Sequence, residues 1–182
     1  MPVHPSQASL PAFTGLQVIH DATSGVSVLI PDGWQRLAVE SGDAMFFAPD
    51  PDEPLTGIAV EGRDLGTDVQ PGDMAALRRG FLRGLRTMPA SRIESSSAEA
   101  VGRLITLEAR QTFRTGPTVR KRWVRLLYQG RMQVRLIAQA ATVERFEYWE
   151  PMFYTAIRTA RFGSFIGWRP FEQPVRPAPR GA

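Results

Sequence analysis

Between Thr118 and Ala140 the chain reads TVRKRWVRLLYQGRMQVRLIAQA, two runs rich in Val, Leu, Ile, Tyr and Trp on either side of Gln129-Gly130. The pattern predicts an antiparallel hairpin, with Gly130 supplying the positive φ that a two-residue turn requires. A loop of that length sets the register, and the register decides which side chains share a face. Val119/Ala140, Lys121/Ala138, Trp123/Leu136, Arg125/Val134 and Leu127/Met132 fall on one face, expected to be core. The other face carries Arg120/Gln139, Arg122/Ile137, Val124/Arg135, Leu126/Gln133 and Tyr128/Arg131. Four arginines interleave there with apolar patches. A helix is expected over Val124, Leu126 and Ile137, with the guanidiniums reaching past it to solvent or to a partner.

Before the hairpin, residues 1 to 14 read as a small polar tail containing prolines. Gly25 to Val39 predicts a short alternating strand, a Pro-Asp-Gly turn and a second strand opening with Trp34; Ala44 to Ala48 and Thr56 to Glu61 predict two more. The three prolines of Pro49-Asp50-Pro51-Asp52-Glu53-Pro54 bar a central strand, so an exposed loop is expected there. Asp73 is placed to cap a helix running to about Thr87, with Met74, Leu77, Phe81, Leu85 and Met88 at helical spacing. Gly80 and Gly84 each weaken such a helix by roughly 1 kcal/mol relative to Ala. Close approach of the helix to strand backbones is the expected reason.

Ser91 to Ser96 reads as an edge strand or a loop, and a long strand is expected from about Val101 to Arg114. If Thr115-Gly116-Pro117-Thr118 closes symmetrically, Glu108 faces Arg125 and Arg110 faces Trp123, so an ion pair and an Arg-aromatic contact occupy part of the basic strand. Thr142 can cap a turn ahead of Phe146, Trp149, Phe153 and Ile157, which recur at helical spacing. Pro151 is expected at the first position of the main helix, after a short preliminary turn. Residues 164 to 182 form a proline-rich tail in which Trp168 and Phe171 are apolar anchors. The expectation is one domain over residues 15 to 163, α+β, with tails at both ends.

Composition narrows the function. Of 182 residues 43% are apolar and 22% charged, an ordinary globular balance, and the absence of cysteine removes disulfides, thiolate nucleophiles and cysteine zinc sites. The start has neither a basic n-region nor an apolar h-region, and no apolar run approaches a bilayer span, so a cytoplasmic protein is expected. The net charge of +4 conceals a segregation: residues 1 to 70 hold ten acids and two bases, residues 103 to 135 nine bases and one acid. Either an anionic partner or mutual packing of the two parts explains this, and we favour packing.

Candidate chemistry is sparse. His20 is the one histidine near the fold and lies beside Asp21 and Ser24, which reads as a polar strand end rather than a triad. Asp43, Asp50, Asp52 and Glu53 offer oxygens to calcium, yet the prolines and the missing loop glycine fit an EF-hand badly. No GxGxxG or Walker motif occurs. Arg-rich strands with Trp123 and Tyr128 loosely match single-strand nucleic-acid platforms, but the acidic first third would repel phosphate and Trp123 falls on the core face. No cofactor, metal or catalytic residue is assigned.

The order of elements carries a resemblance. A strand ending in Pro31-Asp32-Gly33-Trp34, further short strands, one amphipathic helix, a meander bearing Arg122-Trp123 and Tyr128-Gln129-Gly130, and Thr142-x-x-x-Phe146 before a last helix closing on Phe162 resemble the PsbP-like superfamily. That group takes in PsbP, a Ran-binding nuclear import factor and the DcrB proteins. The resemblance implies an antiparallel sheet flanked by helices on both faces, an α/β/α sandwich. It also implies a non-enzymatic module that binds a protein or a ligand, with no catalytic motif to carry over. The expected docking surface is Arg120, Arg122, Tyr128, Arg131 and Arg135, with Trp168 and Phe171 of the tail. A chaperone or adaptor for a secreted or membrane-associated client is the alternative.

Overall fold

The structure, a computed structural model, describes residues 10–39 and 44–164. Trp168 and Phe171 lie outside them, as does Asp43. Among the described residues nine strands form two antiparallel sheets, accompanied by two α-helices.

In the smaller sheet β1 (Leu16–Asp21) pairs with β2 (Val26–Pro31), and β9 (Arg161–Phe162) joins the other edge of β2. β1 has only a weak sequence signal, because Gln17 and His20 interrupt its short apolar run. The Asp21 carboxylate organises the turn that follows, accepting from the backbone N–H of Thr23 and Ser24. The Pro31-Asp32-Gly33-Trp34 turn then carries the chain into the larger sheet. Gly33 adopts φ 83°, a conformation costly for any residue with a Cβ. Trp34 anchors the exit, edge-on to Trp149 and Phe153 with ring centroids 5.5 and 5.9 Å away.

The larger sheet has the order β3 (Gln35–Leu37), β4 (Ala44–Ala48), β5 (Gly57–Val69), β8 (Thr118–Gln139), β7 (Leu104–Thr115), β6 (Arg92–Val101). β8 is unbroken but doubled back. Its first part pairs with β7 from Thr115↔Thr118 to Leu104↔Gln129, and its second with β5 from Gly57↔Gln139 to Val69↔Gly130. The Arg122 guanidinium meets the Gln139 side chain at 2.7 Å. A straight strand would hold residues seventeen positions apart at roughly 55 Å, given ~3.3 Å per residue. The chain therefore reverses at Gln129-Gly130, where Gly130 has φ 59°, and two arms lie side by side as the hairpin pattern predicts. The registers Glu108↔Arg125 and Arg110↔Trp123 are also as expected.

Several boundaries differ from expectation. β5 runs past Glu61 to Val69, through an irregularity in which Gly66 N–H donates to Asp64. β6 is a ten-residue edge strand, and Val101 ends it rather than opening β7, because Gly102 at φ 58° makes a tight reversal. The second helix, α2 (Val143–Thr159), is continuous, with Pro151 in its interior instead of at its start. The missing N–H at Pro151 is outweighed by burial of Phe146, Met152, Phe153, Ala156 and Ile157 on one stripe. Thr142 caps it, its hydroxyl accepting from Arg145 N–H.

The first helix, α1 (Met74–Arg86), follows a single 3-10 turn at Pro71–Asp73. Asp73 does not cap α1 with its side chain; its carboxylate reaches back to the Gln70 N–H. Two apolar clusters divide alternate residues of the strands. Trp123, Leu127, Val134 and Leu136 cluster with α2 and the smaller sheet, whereas Ile105, Leu107, Val124, Leu126 and Tyr128 cluster with Leu77, Phe81 and Leu85 of α1. Burying Phe146, Met152, Phe153 and Ile157, at about 1.5–3 kcal/mol each, holds α2 firmly. α1 buries only Leu85 fully.

Candidate functional site

α1 packs on β6 and β7, at one side of the larger sheet. Beyond it, over the two arms of β8, lies a cleft of about 350 Å³. Val124, Leu126 and Ile137 form its floor, Phe81 and Leu85 one wall, and Glu61 and Arg63 of β5 the other. Gly80 and Gly84 line the helix side, and a Cβ built on either would meet nothing within 4 Å. The expected close approach to strand backbones is therefore absent. These glycines widen a space instead of tightening a contact.

The arginines of the β8 face have separate fates. Arg120 is buried at 7% exposure, Nε donating to the Ala140 carbonyl at 3.1 Å and Nη2 to the Leu55 carbonyl at 3.0 Å. Tyr128 is buried too, its hydroxyl accepting from Gln133 Nε2 at 2.8 Å, and burial pushes its pKa up. Both are buried, unlike the others of the expected surface, because hairpin parity gives the face of a side chain but not its depth. Arg131 pairs with Asp64 on the exposed rim, and Arg135 with Glu61 beside the cleft.

Arg122 is different. It lines the cleft, and Nε and Nη2 donate to a single oxygen, Gln139 Oε1, at 3.2 and 2.7 Å, while Nη1 contacts Met88 Sδ at 3.3 Å. Its Cζ lies 4.9 Å from the Phe113 ring centroid. All these partners are neutral. Burial, with Arg120 and Arg135 nearby, brings its pKa down to about 10, so it stays charged at neutral pH without a carboxylate beside it.

The segregation of charge along the chain is resolved by packing, as favoured from the sequence. Glu61, Asp64 and Asp68 of the acidic part pair with Arg135, Arg131 and Arg103 of the basic part. Glu53, in the proline loop, accepts from Nε and Nη2 of Arg145 on α2. Elsewhere Arg110 stacks on Trp123 at 4.0 Å and reaches Glu150, while Arg125 lies between Glu108 and the Ile157 carbonyl.

A second, more polar hollow of about 450 Å³ is lined by His20, Asp21, Arg36, Gly62, Arg63 and Asp64, among others. Its residues do not assemble a triad. His20 Nδ1 meets the Ser27 hydroxyl at 2.9 Å, and Ser27 is fully buried, while Ser24 donates instead to Asp21. Among the described residues no group of three or more His, Cys, Asp or Glu is placed to hold a metal ion, and no helix is long and apolar enough to cross a membrane.

Neither a protein-family model nor a curated protein sequence matches the chain. Solved structures do. Cyanobacterial PsbP (CyanoP) from Synechocystis sp. PCC 6803 superposes with TM-score 0.58 at 13% identity, over 85% of this chain and 98% of that one. LpqN of Mycobacterium tuberculosis, involved in cell envelope biogenesis, gives 0.56 at 12% identity over 82% and 91% of the two chains. The Ran-binding protein Mog1p of Saccharomyces cerevisiae gives 0.51 at 7% identity over 81% and 95%. The chain has a PsbP/Mog1p-like fold.

Proposed function

We propose that this chain, on its PsbP/Mog1p-like frame, is a non-enzymatic binding or assembly module that works through the cleft beside α1. The frame is read as an α/β/α sandwich, with α1 and α2 on opposite faces of the larger sheet. Alternate residues of one strand support that reading, since Val124 and Leu126 cluster with α1 while Trp123 and Leu127 cluster with α2. One observation carries the site: an apolar cleft bordered by two helix glycines with open space in front of them, with Arg122 at its edge. Of the residues expected to form the docking surface, Arg122 and Arg135 border the cleft. Arg131 stands on the rim, and Arg120 and Tyr128 support the sheet from within.

Fold neighbours are consistent with binding, Mog1p being a Ran-binding protein. Catalysis finds no support in the His20 region, because the serine against the imidazole is sealed from any substrate. The competing reading, a chaperone or adaptor for a secreted or membrane-associated client, fits the dimensions less well. About 350 Å³ is small for a client helix roughly 10–12 Å across, but suits a small ligand or an anchoring side chain.

The test is a native mass spectrum of the purified chain beside that of Gly84→Leu, followed by ligand screening through thermal unfolding. A species or additive that stabilises the parent should lose its effect on Gly84→Leu. Undiminished stabilisation of both Gly84→Leu and Arg122→Met would remove the cleft as the docking site.

A further inference from the structure

Resting on the reading of the cleft as a docking site, we propose that its ligand is a small amphipathic carboxylate. Its head group would sit on the Arg122 guanidinium and its aliphatic chain along the channel beside Gly80 and Gly84.

Donor arithmetic supports the head group. A guanidinium offers five N–H groups in a fixed plane. Those of Arg122 engaged within the described residues are one from Nε and one from Nη2, both to Gln139, and one from Nη1, to Met88 sulfur. One N–H on each terminal nitrogen is left over. A carboxylate can accept from these remaining N–H groups. The surroundings favour an anion as well. The cleft is lined by three guanidiniums, of Arg63, Arg122 and Arg135, against the single carboxylate of Glu61, which Arg135 already engages. Among the described residues Arg122 hydrogen-bonds only to neutral groups, and burial, with Arg120 and Arg135 nearby, lowers its pKa.

The tail follows from the rest of the lining. Val124, Leu126, Ile137, Phe81 and Leu85 present hydrocarbon. Two glycines in the middle of a helix carry a propensity penalty, and here no backbone approaches them to explain it. Leaving room for a chain explains both. The volume of about 350 Å³ lies at the lower end of the ~300–1,000 Å³ of ligand pockets, which favours a medium-length alkyl chain over a lipid with two.

Titration calorimetry on the full chain with octanoate, 1-octanol and acetate separates the parts. Octanoate should bind about ten-fold or more tightly than 1-octanol, the ratio expected for one desolvated charge-assisted pair, and acetate should give no heat. Arg122→Met should bring octanoate down to the 1-octanol level while leaving 1-octanol within about two-fold, since only the charge contact is removed. Gly84→Leu should weaken both alkyl probes; if circular dichroism shows it misfolded, the Gly80→Ala/Gly84→Ala pair serves instead. Equal affinity for octanoate and 1-octanol, or octanoate binding that survives Arg122→Met, or no binding of either, overturns the ligand class. If no alkyl probe binds yet a stabilising species is still lost on Gly84→Leu, the docking site stands and only the carboxylate proposal falls.

Discussion

Arg122 and Gln139 are joined by two hydrogen bonds to one oxygen, from Nε at 3.2 Å and from Nη2 at 2.7 Å, across the two arms of β8. The acceptor is an amide where a carboxylate would give a stronger, charge-assisted pair. Gln139→Glu supplies that carboxylate with almost no change of shape. It should raise stability by about 1 kcal/mol and weaken octanoate binding, because the cation then has a resident partner. Chemical denaturation and calorimetry on the same sample test both halves.

Arg122 itself should be dispensable for folding. A cation whose pKa is lowered in the folded state, here to about 10, holds its proton less tightly there than in the unfolded chain. The resulting penalty is complete below the folded value and disappears only as pH rises past the unfolded one. At pH 7 it is therefore fully present. Arg122→Met, keeping the aliphatic stem, should unfold within about 1 kcal/mol of the parent or above it. A loss of several kcal/mol in urea would show the guanidinium to be structural.

Arg120 should behave in the opposite way. Its donors satisfy the carbonyls of Ala140 and Leu55, and the residue is buried. Arg120→Met orphans both carbonyls at the junction where β8 ends and the proline loop enters β5. A loss of about 1–3 kcal/mol is expected, chiefly from the unsatisfied buried Ala140 carbonyl, read as an earlier midpoint in urea with an unchanged slope.

Two glycines should respond with opposite signs to the same methyl group. At Gly84 a Cβ meets nothing within 4 Å, so Gly84→Ala should stabilise α1 by about 0.5–1 kcal/mol through helix propensity. At Gly62 a Cβ would lie 2.2 Å from Ser24 Cβ, where β5 crosses the turn of the smaller sheet. Gly62→Ala should destabilise by about 1–3 kcal/mol through overpacking. Thermal unfolding of the two variants side by side decides it.

What could be read from the sequence was local. Gln129-Gly130 between two apolar runs, and Thr115-Gly116-Pro117-Thr118 before them, set turn positions from which the registers Arg110↔Trp123 and Glu108↔Arg125 follow by counting. Face parity followed as well, so Trp123 and Val124 fall into different clusters as expected. Elements with weak alternation were harder: β1 is interrupted by polar residues, and β6 is a serine-rich edge whose pairing comes from β7 rather than from its own apolar content. Pro151 misled because a local rule against interior proline yields to the burial of a whole helix stripe. Gly80 and Gly84 were visible, but no one-dimensional pattern separates a glycine that lets backbones touch from one that keeps a space open. Distinguishing Arg122 from Arg120 likewise needs knowledge of what lies beyond each side-chain tip.

The pairing of β2 with β9, through Val26↔Phe162 and the Gly163 N–H to Gly25 carbonyl bond, ties one of the first strands to the end of the last helix. During synthesis on the ribosome, the β1–β2 hairpin must wait for residues 32–162 to emerge before that edge is covered. Completion of the smaller sheet thus belongs among the late events of maturation, and chains that stall or are clipped after Thr159 would leave the β2 edge unpaired at Val26 and Ser27.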